Sequence, residues 1–318
     1  MKLQSLSMLL VSLGLLALCV ELGAATPDQW PRFRGADGTG STGGEKLLPS
    51  WTTEDWTWQV DLPGIGHSSP IVWNGKIYLT SADEENKVRH LFCHDLYTGK
   101  LAWTQEFPGE IERHHKQNSS ASSTVTADSR GIYWLWGTSQ NVRLEALTHD
   151  GKSRWSIDLG PYIGHHGFGG SPVVWKDTVI VPLEQDTQGT VLGIDASTGK
   201  ERWRLARDGA EKAAYSTPLV LTHTGRDTQV ICTSKAHGMY AINPENGTVL
   251  WENKCFSLRT VASPICAGNL LIGTCGSGGG GSNLLVALKP PATKDDTSEI
   301  IYEVPRSTAP YVPTPLFS

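Results

Sequence analysis

The sequence predicts an all-β chain, a β-propeller of four-stranded antiparallel blades, on three observations. Four tryptophans, Trp103, Trp155, Trp203 and Trp251, each close a similar stretch of chain and recur 48 to 52 residues apart. A fixed period in this range marks a repeat architecture, whose units stack to bury a shared core. In step with them, Ser69-Pro70, Ser171-Pro172, Thr217-Pro218, Ser263-Pro264 and Thr314-Pro315 each precede an apolar run, and Ser123-Thr124 holds that place in the second unit. The runs that follow are short and continuously apolar, as in strands covered on both faces. No amphipathic helical pattern competes with them.

Each blade then reads in order. Proline is tolerated at the first residue of a strand, where its missing N–H is not needed. Ile71-Val72-Trp73, the Asn74-Gly75 turn and Lys76 to Thr80 predict the first inner hairpin. Val173-Val174-Trp175 with Val179-Ile180-Val181, Leu219-Val220-Leu221 with Val230-Ile231-Cys232, and Ile265-Cys266 with Leu270-Leu271-Ile272 repeat it. A third strand leads into an Asp-x-x-Thr-Gly-Lys turn, and a fourth carries the tryptophan. Gly99, Gly199 and Gly247 supply the positive φ such turns need, while Asp95 and Asp195 can accept from N–H groups within the turn. Asp150-Gly151 is the hairpin of the shorter second copy. The tryptophan is expected to wedge between neighbouring blades with its indole N–H satisfied.

The fifth unit is degenerate: Ala287 runs into Pro290-Pro291 and a polar insert, and Tyr302 replaces the tryptophan. A sixth begins at Pro313-Thr314-Pro315. Trp51 to Val60 is expected as an outermost strand with no inner strands before it. A ring of about six to eight blades would need one to three further repeats.

Residues 1–25 are expected to be an export signal. Lys2 supplies the positive start, Leu6 to Val20 the apolar run, and Gly23-Ala24-Ala25 the small residues before the cut. The run is short for a bilayer span, so no membrane-crossing segment is expected afterwards. Leu16-Ala17-Leu18-Cys19 resembles a lipid-attachment box, but Leu18 stands where such boxes take a small residue, so anchoring at Cys19 is not expected. Residues 26–50 form a lead-in and 51–318 the propeller, with repeats near 67–110, 118–160, 169–208, 216–256 and 262–304. The expected setting is the periplasm or cell surface, and the expected form a monomeric ring.

Composition narrows the function classes. The 318 residues are 39% hydrophobic and 19% charged, with a net charge of −5 and no dense Lys/Arg run, which argues against a nucleic-acid partner. Five cysteines follow the signal: Cys93, Cys232, Cys255, Cys266 and Cys275. None lies in a Cys-x-x-Cys pair, so thioredoxin-like chemistry and paired-cysteine zinc sites lack support, and buried apolar roles are expected. Gly35-x-x-Gly38-x-Gly40 lacks a preceding strand and a following helix, so it is a turn-rich lead-in packed on the ring, not a nucleotide loop. Arg32 and Arg34 are expected solvated or paired there. No serine has the order or glycines of a nucleophile elbow.

The stretches Cys93 to Trp103, Gly193 to Trp203 and Ala241 to Trp251 resemble the pyrroloquinoline-quinone-like (PQQ-like) propeller repeat, Ala-x-Asp-x-x-Thr-Gly-x-x-x-Trp. The opening Trp30-Pro-Arg-Phe-Arg-Gly-Ala-Asp-Gly-Thr-Gly40 is similar to a signature at the start of exported bacterial proteins of this kind. The resemblance implies one of two understood branches: quinoprotein dehydrogenases, holding PQQ and Ca²⁺ over the ring's axis, or a scaffold of the outer-membrane assembly machine. The dehydrogenases have adjacent cysteines and Glu, Asn and Asp ligands for calcium. This chain has no Cys-Cys pair and no recognisable ligand set. No cofactor is therefore expected, with PQQ and Ca²⁺ the alternative.

Strand alternation sorts the loops by face. The loops entering each blade hold His67, His114, His115, His165 and His166, and the loops between second and third strands add Glu184 and Asp186. Histidines and carboxylates converging on one mouth suit a divalent metal or an anionic or sugar-like ligand. Ordinary loops whose histidines bond nearby backbone are the other reading. The sequence therefore points to a non-catalytic propeller that binds a protein or carbohydrate-like ligand, with a quinone- or metal-dependent oxidoreductase or an assembly scaffold as alternatives.

Overall fold

The computed structural model describes residues 29–42, 49–111, 114–115, 118–208, 212–222, 227–278, 283–292, 296–305 and 308–317. The stretch expected to be an export signal, with Cys19, lies outside them. Five four-stranded antiparallel sheets follow one another, each a simple meander. Blade 1 is β1 (Ile71–Trp73), β2 (Lys76–Asp83), β3 (Val88–Asp95) and β4 (Leu101–Pro108). Blade 2 is β5 (Thr126–Asp128), β6 (Gly131–Gly137), β7 (Val142–Leu147) and β8 (Ser153–Asp158). Blade 3 is β9 (Val173–Trp175), β10 (Thr178–Leu183), β11 (Gly189–Asp195) and β12 (Glu201–Arg207). Blade 4 is β13 (Leu219–Leu221), β14 (Gln229–Ser234), β15 (Gly238–Ile242) and β16 (Val249–Asn253). Blade 5 is β17 (Ile265–Ala267), β18 (Leu270–Cys275), β19 (Leu284–Lys289) and β20 (Glu299–Pro305). The predicted propeller blades are present, and among the described residues the sheets do not close into a ring.

The cores lie between blades. Ile71, Tyr78 and Leu91 of blade 1 pack on Ile132, Trp134 and Trp136 of blade 2. The alternate residues Tyr133 and Leu135 of the same strand pack on Val179, Val181 and Leu192 of blade 3. Val173, Ile180 and Val191 then meet Val230, Cys232 and Tyr240, and Ile231, Met239 and Ala241 meet Leu271, Val286 and Leu288. Blades 2, 3 and 4 thus bury both faces, which is why their strands read as continuous apolar runs.

The tryptophan joins consecutive blades through two contacts. Its indole N–H donates to a turn carbonyl of the next blade: Trp103 to His149 at 3.0 Å, Trp155 to Ala196 at 3.2 Å, Trp203 to Pro244 at 3.0 Å. Its ring lies on the turn glycine, so that a Cβ on Gly151, Gly199 or Gly247 would fall within 2.9 Å of it. Within its own sheet each tryptophan faces a small residue, Cys93, Ala146, Gly193 or Ala241, and Tyr302 faces Ala287 in the same way. A register shift follows that residue in all five blades.

The Ser/Thr before each inner strand makes a second join. Ser69 N–H donates to Thr124 Oγ1, Thr124 N–H to Ser171 Oγ, Thr217 N–H to Ser263 Oγ and Ser263 N–H to Thr314 Oγ1, at 2.9–3.1 Å. A buried N–H at the narrow end of each wedge is thereby satisfied from the next blade.

Two expectations are corrected. Trp51 to Val60 forms no strand: Thr53–Asp55 is a 3-10 turn capped by Thr52 and Asp55. Among the described residues no strand pairs with it, and a strand needs a neighbour to satisfy its N–H and C=O groups. Trp58 nonetheless takes the repeat position, donating to Leu96 O at 3.0 Å and lying 2.6 Å from where a Cβ on Gly99 would be. Arg32, expected solvated or paired, is buried to 5% exposure with its Nε donating to Ala36 O. Burial, partly offset by Asp37, lowers its pKa to about 10, so it stays charged at neutral pH. The lead-in lies against the innermost strands: Trp30 bridges Val72, Ala127 N–H donates to Pro31 O, Gly38 abuts Leu219, and Arg34 donates to Pro315 O. Gly35, Gly38 and Gly40 have φ of 74–81°, which lets this segment turn within the narrow space between inner strands.

Among the described residues the five cysteines are free thiols, with Cys93, Cys232 and Cys275 buried. No helix among the described residues is long and apolar enough to cross a membrane.

Candidate functional site: the mouth formed by the entering loops

Four successive entering loops converge on one face. His115 comes from the loop into blade 2, His165 and His166 from that into blade 3, Tyr215 from that into blade 4 and Arg259 from that into blade 5. The His166 ring is the hub. It meets His115 edge-on at 5.2 Å, His165 edge-on at 5.1 Å and Tyr215 at 6.4 Å between ring centroids. Arg259 Nη1 lies 2.7 Å from His166 Nε2. A guanidinium can only donate, so that nitrogen is the acceptor and His166 is neutral. Burial, then Arg259, then His115 and His165 hold its pKa below the ordinary value.

Backbone bonds fix these loops to one another. Asn118 Nδ2 donates to His166 O at 2.7 Å, Tyr215 N–H to Thr260 O at 3.1 Å, and Gly276 N–H to Arg259 O at 2.9 Å. Gly167 (φ 83°) leaves room for His114, whose Cβ would be 2.9 Å from an added methyl. His114 sits beside the hub in a different hydrogen-bonding environment. Its Nε2 lies 2.6 Å from Glu84 Oε1 and its Nδ1 3.0 Å from His115 O, so both nitrogens face acceptors. Burial opposes protonation, but the His115 carbonyl and the Glu84 carboxylate together raise its pKa. Two neighbouring histidines are therefore shifted in opposite directions.

The remaining predicted residues are not part of the ring cluster, although the Asp186 carboxylate is near enough to act on His166 and Tyr215. His67 is exposed, its N–H bonded to Ala121 O at 3.2 Å. Asp186 accepts from Ala213 N–H at 2.5 Å, its carboxylate tying down the loop before Tyr215. Glu184 is 3% exposed between blades 3 and 4 and accepts from Tyr240 Oη at 2.5 Å. Burial is the main cause of its raised pKa, opposed by the Tyr240 hydroxyl and Arg207. Arg207 stacks 4.2 Å over the Tyr240 ring and donates to Glu252 at 2.7 Å. Among the described residues no three His, Cys, Asp or Glu side chains stand together as a metal cluster would.

Sequence reasoning missed Tyr215 and Arg259, although both sit in entering loops just before Thr217 and Ser263. The loop position was the available signal; looking there for histidines and carboxylates alone hid it.

Residues 139–296 match the model of a protein family described as outer membrane protein assembly factor BamB. The quinohemoprotein alcohol dehydrogenase ADH-IIG of Pseudomonas putida is 27% identical over 159 residues, 47% of this chain and 21% of that protein. Among solved structures, quinohemoprotein alcohol dehydrogenase ADHIIG from Pseudomonas putida HK5 is similar with a TM-score of 0.57 at 15% identity, over 87% of this chain and 48% of that one. BamB from Moraxella catarrhalis is similar with a TM-score of 0.51 at 18% identity, over 77% and 65%. At such identities the likeness is one of fold. The chain spans about half the length of that dehydrogenase structure and a fifth of the curated sequence it matches. Residues 139–296 are thus similar to PQQ-like repeats, and the blades as a whole share the β-propeller fold of BamB and of the quinohemoprotein alcohol dehydrogenases.

Proposed function

We propose that this chain is an exported, non-catalytic propeller whose mouth recognises a protein or carbohydrate-like partner. The observation that carries this reading is the hub of His115, His165, His166, Tyr215 and Arg259, gathered from four consecutive blades. It is a preformed surface of edge-on and tilted rings and one guanidinium, of the kind that anchors partners at little entropic cost. Within it Arg259 Nη1 pairs with His166 Nε2, while Tyr215 Oη and Arg259 Nε are buried without a hydrogen-bond partner among the described residues. No hub group forms a nucleophile–base pair held by a third residue, which is the geometry catalysis would need.

The residues at hand do not fit a quinone held with Ca²⁺. Calcium takes six or more oxygen ligands, largely carboxylate and carbonyl. The carboxylates around the mouth are already engaged, Glu84 by His114 and Asp186 by Ala213 N–H, and the hub itself offers nitrogen donors. The match to the BamB family favours a second reading, a scaffold of outer-membrane protein assembly.

The test is crosslinking of the full protein in its native envelope, comparing Arg259→Met and His165→Ala with Lys152→Ala and Lys200→Ala in the hairpin turns of the opposite face. Loss of the crosslinked partner only in the mouth variants is the expected result. Loss only in the hairpin variants would assign the work to the other face.

A further inference from the structure

Beside the hub, above blade 2, lies a cleft of about 50 Å³ that the partner reading does not use. Arg89, His114, Ser123, Trp136, Ser139 and Tyr162 are among its lining, which includes no Asp or Glu. Blade 2 supplies its floor. Trp136 ends β6, Ser123 precedes β5, and Ser139 follows at the exposed rim. The Arg89 guanidinium comes across from blade 1. It lies 4.7 Å over the Trp136 ring, and its Nη2 donates to Glu110 O at 2.8 Å.

Two residues that line this cleft carry a donor with no partner among the described residues. Ser123 Oγ (residue 3% exposed) and Trp136 Nε1 (8% exposed) are both buried and unbonded. Native proteins rarely leave such groups unmet, and an indole N–H can only donate. An indole N–H, a hydroxyl and a guanidinium around one space, with no carboxylate lining it, favour an anionic acceptor. The size agrees. A water needs about 10–15 Å³ on this measure, so the cleft takes on the order of three to five non-hydrogen atoms, as in a carboxylate or a phosphate group.

We propose that this cleft binds a small oxyanion, the carboxylate or phosphate end of a ligand, through Ser123, Trp136 and Arg89. It adds an anion subsite to the binding face proposed above and rests on that face being the working one.

The experiment is calorimetric titration of the folded full chain with sodium phosphate and, separately, sodium acetate, each against sodium chloride at equal ionic strength. Binding of either anion beyond chloride is expected, and which one binds more tightly identifies the end group. Ser123→Ala removes one donor, and Trp136→Phe removes the other while keeping an aromatic ring. Each should weaken binding about tenfold or more, as the loss of a hydrogen bond to a charged group does. No binding of either anion, or unchanged affinity in both variants, would overturn the proposal. Arg259→Met separates the two readings. Phosphate or acetate binding should survive in it, since Arg259 does not line the cleft, and anion binding by a wild-type chain that captures no partner leaves the cleft standing and removes the partner reading.

Discussion

Replacing Gly247 by alanine tests the joint between blades 3 and 4, and Gly268 provides an internal control. Both residues have positive φ, 73° and 62°, so alanine at either costs about 1–2 kcal/mol for a left-handed L-residue. They differ in what the new methyl meets. At Gly268 nothing lies within 4 Å, whereas at Gly247 the methyl falls 2.4 Å from Trp203 Cε3. Trp203 is 8% exposed and must shift. Losing its bond to Pro244 O costs about 1 kcal/mol, and uncovering a third of a ring that buries roughly 150–250 Å² costs about 1–2 kcal/mol more. Gly247→Ala should therefore cost about 3–5 kcal/mol and Gly268→Ala about 1–2 kcal/mol. Urea denaturation of the pair reads the difference directly. In a Trp203→Ala background the excess should vanish, a coupling of about 2–3 kcal/mol. Equal costs for the two alanines, or strict additivity with Trp203→Ala, would refute the wedge.

Further outcomes follow from the same structure. Ser171→Ala strands the buried Thr124 N–H and should cost about 1–3 kcal/mol in denaturant melts, while Ser171→Thr should be near neutral, since threonine already fills this place before blades 2, 4 and 6. Histidine ring NMR across pH 5 to 8 should show His114 titrating above the ordinary 6.5 and His166 below it, and the reverse order would undo the assigned hydrogen bonds. The signs for stability then differ. The His114 contribution is full below 6.5 and fades as pH rises through its folded pKa, whereas that of His166 is full above 6.5 and is lost as pH falls through its folded pKa. Glu184 is shifted upward, so ionising it in place opposes folding as pH rises above its ordinary 4.5. Glu184→Gln, which keeps an acceptor for Tyr240, should flatten that dependence without loss of stability at pH 7. A strong destabilisation by glutamine would mean that the charge itself is needed.

The blades were legible because every feature that builds them is local. Tryptophan, turn glycine and Ser/Thr-Pro each recur at one period, and continuous apolar runs announced sheets buried on both faces. The role of the Ser/Thr was not legible, because its hydroxyl serves the N–H of the preceding blade, about fifty residues away in sequence. Trp51 to Val60 carries a strand's side chains, but a strand exists only by pairing, and nothing beside it pairs. At the mouth, loop position placed His115, His165 and His166 together correctly in space. Glu184 shares that loop class, yet it stands one residue beyond β10 and behind Tyr240, and which neighbour covers a side chain is a property of blade packing. The cleft donors were hidden for a related reason: Ser123 and Trp136 read as repeat residues until the space between them is seen.

Whether the mouth is a partner-binding face or a cofactor seat is decided most directly by titrating the purified, folded protein with pyrroloquinoline quinone and Ca²⁺, followed by absorbance and metal analysis. The account predicts no stoichiometric uptake of either. One equivalent of quinone bound together with one of calcium would contradict it and make the chain an oxidoreductase.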